Sequence, residues 1–152
     1  STQSTWGEKE MYYAMSSLPR LCMSGFLFLV LLRFSEADVG TAAWYKAPYI
    51  PTKCYGSDVS QIPSGTMFAA AGDAIWDNGA SCGRQYLVKC LSASVPGACV
   101  NDRNIQVKIV DYARNLPSTP SSTGATLVLS LSAFKTIART FNSPINVEFL
   151  EV

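Results

Sequence analysis

Residues 104–113 read Asn104-Ile-Gln-Val-Lys-Ile-Val-Asp-Tyr-Ala113. Ile105, Val107 and Ile109 alternate with Gln106 and Lys108. A period of two puts the apolar set on one face of a strand and the polar set on the other. The same alternation recurs at 84–91, where Tyr86, Val88 and Cys90 oppose Lys89, and in Ile145-Asn-Val-Glu-Phe-Leu150. Gly40 to Lys46, Thr66 to Ala71 and Thr126 to Ser130 are shorter apolar runs that add three candidate strands. Loops separate them. Ala47 to Pro51 is one, because proline cannot donate to a strand ladder. Ser57 to Gly65 is polar, Asp77-Asn78-Gly79 is turn chemistry, and Leu116 to Gly124 is a polar loop. One helix is expected. Ser130 is its N-cap, and Leu131, Phe134, Ile137, Ala138 and Phe141 form its buried face. Asn142-Ser143-Pro144 stops it. Short strands with one small helix, no repeat and no second domain predict a compact all-β barrel.

The chain has 12 Lys and Arg, 11 Asp and Glu, and no histidine. After Ala37, nine basic residues less eight acidic ones leave +1. That balance offers no basic stripe for nucleic acid and no polybasic patch for anionic lipid. The lack of histidine excludes Ser-His-Asp and Cys-His catalysis and a histidine-ligated zinc. There is no Cys-x-x-Cys pair either, so no metal and no cofactor are expected.

The N-terminal part reads as a processing signal. Residues 1–14 show no apolar period and are expected to be a disordered upstream segment outside the fold. From Met15, Arg20 precedes an apolar run from Gly25 to Leu32, and Ser35-Glu-Ala37 places small residues at the cleavage positions. The run is shorter than the roughly 20 residues of a membrane span. Residues 15–37 are therefore expected to be a signal peptide cut after Ala37, leaving 38–152 as the domain and the protein secreted. Cys22 departs with the signal. Cys54, Cys82, Cys90 and Cys99 remain, an even number that reads as two disulfides. Spacing leaves three connectivities open. A Cys90–Cys99 bridge would close a short loop around Pro96-Gly97.

Several motifs together carry a resemblance. Gly40-Thr-Ala-Ala-Trp-Tyr45, Pro48-Tyr-Ile-Pro51 and Cys54-Tyr-Gly56 come first. Gly72-Asp-Ala-Ile-Trp-Asp-Asn-Gly-Ala-Ser-Cys-Gly83 and Tyr86-Leu-Val-Lys-Cys90 follow, then Val107-Lys-Ile-Val-Asp-Tyr112 and Leu129-Ser130 before Ala133-Phe134. In this order they resemble the plant natriuretic peptides, also called expansin-like or blight-associated proteins. The resemblance implies a six-stranded double-psi β-barrel with one or two short helices, like the first domain of expansins and the rare lipoprotein A domain. The expected pairing of its staples is Cys54–Cys82 and Cys90–Cys99. It also implies a monomeric apoplastic protein acting in water and ion balance and stress response through a cell-surface receptor, with a stretch from about Pro48 to Trp76 carrying activity. Pro48, Tyr49, Pro51, Tyr55 and Trp76 are its candidate contacts, with Tyr49 and Tyr55 expected to be exposed. The alternative is a cell-wall polysaccharide binder whose groove holds Thr41, Tyr45, Asp77 and Asp111.

Two departures from the family stand out. A further cysteine pair of many relatives is missing, with Ala113 at the first position and no cysteine in Arg114–Ala125. The loop should be looser for it. In expansins and lytic transglycosylases an aspartate lines the groove just before the Leu-Ser, and here that position is Val128. Glycan cleavage needs a proton donor of raised pKa, so no catalysis is expected. Asp111 is the one remaining candidate.

Overall fold

The computed structural model describes residues 36–152; the expected upstream segment and the expected signal peptide up to Ser35 lie outside them. The alternating stretch at 104–112 is the longest strand and a stave of a closed barrel. In chain order the strands are β1 (Asp38–Tyr45), β2 (Phe68–Ala71), β3 (Gln85–Ser92), β4 (Asn104–Tyr112), β5 (Leu127–Ser130) and β6 (Ile145–Glu151). Around the barrel they run β1-β5-β2-β4-β3-β6. The β1–β5 and β2–β4 pairs are parallel and the other four antiparallel. Closure leaves these six strands without a free edge among the described residues. The helices are a single turn, α1 (Asp73–Trp76), and α2 (Leu131–Ile137).

Two apolar layers follow from the alternation. The interior holds Ile105, Val107 and Ile109 of β4 with Val88, Leu127, Leu129, Val147 and Phe134. Ala43, Tyr45, Phe68, Ala70, Val110 and Val128 lie on the opposite faces of β1, β2, β4 and β5. A strap over residues 46–65 covers this second layer with Tyr49, Tyr55 and Ile62. Tyr49 packs edge-on against Phe68 and Tyr45, with ring centroids 4.8 and 5.0 Å apart. Cys54–Cys82 ties the strap to the segment leading into β3, and Cys90–Cys99 closes the loop after β3.

One register shift decides where the carboxylate goes. Ala69 pairs with Ile109, but Ala70 pairs with Asp111, leaving Val110 as the extra residue of a bulge. Strict alternation from Ile109 would aim Asp111 into the barrel. The bulge turns it to the outer face, beside Ala70.

The helix is shorter than its apolar spacing suggested. Ser130 does cap it, accepting from the Ala133 amide at 3.2 Å. It stops at Ile137, however, and Ala138 is extended, with φ −140° and ψ 148°. The reason is competition from the Cys90–Cys99 loop. Val100 donates to Ile137 O (2.8 Å) and Arg139 to Ala98 O (2.7 Å), pulling the chain out of the helix. Phe141, expected on the buried face, is therefore 39% exposed.

Candidate functional site

A cleft of about 690 Å³ opens where the ends of β2 and β4 meet the start of β5. Gly72, Asp73 and Ala74 form one wall, and Ala113 with Arg114 another. The loop from Pro120 to Gly124 and Ala125, Thr126 and Val128 complete it. Gly72 has a steric role. Its amide donates to Thr126 O at 2.8 Å, and an added Cβ would lie 2.0 Å from Ala125 O.

Charge in the cleft is confined to one pair. The Arg114 guanidinium grips both oxygens of Asp73, Nε lying 2.9 Å from each, and Tyr112 Oη donates to Oδ1 at 2.6 Å. The bond from Arg114, then that from Tyr112, holds the Asp73 carboxyl below the usual carboxylate range. Tyr112 is itself fixed by stacking on Trp76, at 4.5 Å and 12°. Thr126 is held from below, since its Oγ1 accepts from the Thr41 amide at 3.1 Å.

Asp111 lies beneath this surface. Val128 and Asp111 flank Ala70 on one face, in adjacent strands. Adjacent strands sit about 4.8 Å apart, which puts the two positions about 10 Å apart. Asp111 is fully buried, and its Oδ1 accepts from the Lys53 and Tyr112 amides, both at 2.8 Å. Its Oδ2 and Tyr45 Oη are buried without a hydrogen-bond partner among the described residues. Burial pushes the Asp111 carboxyl up, and the two amide bonds oppose it. Burial, then the charge of Asp111, pushes the Tyr45 phenol well above its ordinary value.

The folded protein thus holds the Asp111 proton more tightly than the unfolded chain does. Its ionised form weighs against the fold at neutral pH. That penalty disappears as the pH falls through the raised folded value toward the unfolded carboxyl near 4. Asp111→Asn keeps an oxygen for the two amides and has no charge to bury. The wild type should therefore gain stability relative to Asp111→Asn between pH 7 and pH 4, read from urea midpoints. Parallel pH profiles would contradict a buried ionisable carboxyl.

The other sequence candidates are placed as follows. Thr41 contacts the cleft only through Thr126. Asp77 sits in the turn after α1, with φ 53°, paired to Arg84 at 2.8 Å. Pro48 and Pro51 are exposed on the strap, while Tyr49 and Tyr55 are half-buried rather than free. Trp76 supports Tyr112. The cleft residues Asp73, Arg114 and Ser122 carried no local signal, because Asp73 and Arg114 meet across 41 positions. Thr126 was legible in principle as the same-face neighbour of Val128 on a strand.

The chain is 37% identical over 125 residues to EG45-like domain containing protein 1 of Arabidopsis thaliana, covering 81% of this chain and 90% of the relative. It belongs to the EG45-like domain family. The EG45-like domain containing protein of Citrus jambhiri is 39% identical over 116 residues, covering 74% of this chain and 80% of the relative. The family model described as lytic transglycolase matches residues 68–149, and the six-stranded closed barrel is its double-psi fold. Among solved structures, a mutant Clavibacter michiganensis expansin in complex with cellohexaose superposes with a TM-score of 0.55 at 18% identity, covering 77% of this chain. The EG45-like chain spans half the length of that expansin. The cleft lies at the ends of β2, β4 and β5, all within the residues 68–149 that the lytic transglycolase model matches.

Proposed function

We propose that this EG45-like domain is an extracellular, non-catalytic reader of cell-wall polysaccharide. The observation that carries the reading is the cleft itself: an open trough of small and apolar side chains with three hydroxyls, whose one acid, Asp73, is already paired. Ser122, Thr123 and Thr126 offer hydroxyls to a sugar. Asp73 is occupied and held ionised, the wrong direction for a general acid. Val128 is apolar, and Asp111, whose pKa is raised as an acid requires, is sealed under the strap. Two disulfides fit an oxidising extracellular setting. The solved expansin bound to cellohexaose supports a glycan for the same barrel.

Titration with cellohexaose and xylohexaose tests this. Binding without turnover is expected, and Ala74→Glu, which sets a charged chain with no aromatic face in the cleft from an exposed position, should weaken it strongly. Equal binding by Ala74→Glu would remove the cleft from the reading.

A receptor-directed signalling role is a second reading, supported by Ile50 and Val59 on the strap, 37% and 65% exposed. Within Pro48 to Trp76, though, residues 68–71 are a fully buried barrel strand. A linear peptide of that stretch should bind a surface partner far more weakly than the oxidised domain does. Equal potency would favour a local epitope.

A further inference from the structure

The loop of residues 116–124, which leads into β5, separates the cleft from a second feature. Pro120, Ser122 and Thr123 face the cleft. Ser121 turns the other way: its Oγ accepts from the Trp44 amide at 3.0 Å and its own amide donates to Trp44 O at 2.8 Å. Trp44 in turn donates through Nε1 to Phe141 O at 3.1 Å. Both rings are partly exposed, and an ammonium stands over each. Lys46 Nζ lies 5.6 Å from the Trp44 ring and Lys135 Nζ 5.6 Å from the Phe141 ring. Neither lysine has an ion-pair partner among the described residues. The segments that meet here carry no acid at all. Residues 39–57 contain Lys46 and Lys53, and residues 112–147 contain Arg114, Lys135 and Arg139, with no Asp or Glu in either.

We propose that Trp44, Phe141, Lys46 and Lys135 form a subsite for a uronic acid residue of an acidic polysaccharide, continuing the cleft across the 116–124 loop. The inference rests on the glycan reading and names its substrate class. A pyranose ring presents an apolar C–H face that packs on an aromatic ring. A uronic acid adds a carboxylate at the ring edge, and the flexible lysine stem lets the ammonium that stands over each ring swing off its face to meet it. A neutral glucan uses the rings and leaves both ammonium groups unmatched. An anionic membrane is the less apt occupant, because the indole is pinned by its bond to Phe141 O and the Phe141 ring leans on Phe134, 6.3 Å away.

The test is calorimetric titration of the oxidised protein with hexagalacturonate and with cellohexaose, and a sedimentation assay with phosphatidylserine-containing vesicles. Wild type should prefer hexagalacturonate. Lys46→Gln with Lys135→Gln should lose about tenfold of that affinity, as two exposed charge pairs would supply, and leave cellohexaose binding unchanged. Phe141→Ser should weaken hexagalacturonate, with its melting temperature confirming the fold. Cellohexaose binding with no preference for the uronate, or no effect of the lysine pair, overturns the subsite and leaves the glycan reading standing. No binding of either sugar overturns both. Lysine-dependent binding to vesicles without binding to hexagalacturonate makes the patch a lipid contact and overturns the proposal.

Discussion

Replacing Cys54 and Cys82 together by serine should lower stability by roughly 3.6 kcal/mol, the chain-entropy value for a bridge across 28 residues. The shorter Cys90–Cys99 bridge, across 9 residues, should contribute roughly 2.6 kcal/mol by the same relation. The larger loss has a local consequence as well. Lys53, next to Cys54, donates the amide that holds Asp111 Oδ1, and Cys54 N–H donates to Val110 O at 3.3 Å. Loosening the strap lets water reach Asp111, and its carboxyl should titrate nearer the ordinary range. Urea unfolding measures the first effect and carboxyl NMR titration the second. If the stability falls while the Asp111 titration stays put, Tyr49 and Tyr55 hold the strap down without help from the bridge.

Gly72→Ala should be almost as damaging, about 3 kcal/mol, at the upper end of what overpacking costs. The residue has φ −72°, which any amino acid adopts, so the penalty is purely steric. A Cβ would stand 2.0 Å from Ala125 O and 2.9 Å from Thr126 O. Both are backbone atoms just before β5 and cannot rotate away. The strands must part, the 2.8 Å bond from Gly72 N to Thr126 O is lost, and the cleft wall moves with it. Gly65 is the control, since an added Cβ there meets nothing within 4 Å. Thermal melts and cellohexaose titrations of both variants decide it. A Gly72→Ala protein as stable as Gly65→Ala would mean the β2–β5 junction is looser than its geometry implies.

The sequence by itself determined the strands, because the period of two is written locally in residues such as Ile105, Val107 and Ile109. It determined the turn at Asp77-Asn78-Gly79 and the cap at Ser130 for the same reason: each is the work of neighbours in the chain. The barrel's connectivity was legible only through family resemblance, not through periodicity. Three things were left to the tertiary structure. The bulge at Val110 faces Asp111 outward, and nothing in Ile109-Val110-Asp111 says which residue β2 will skip. The end of α2 depends on the Cys90–Cys99 loop competing for the backbone of residues 137–139, so helical spacing overran by one turn and misplaced Phe141. The cleft is made by partners far apart in sequence, Asp73 with Arg114 and Gly72 with Thr126. Such pairings are set by how the strands close the barrel, and no local pattern carries them.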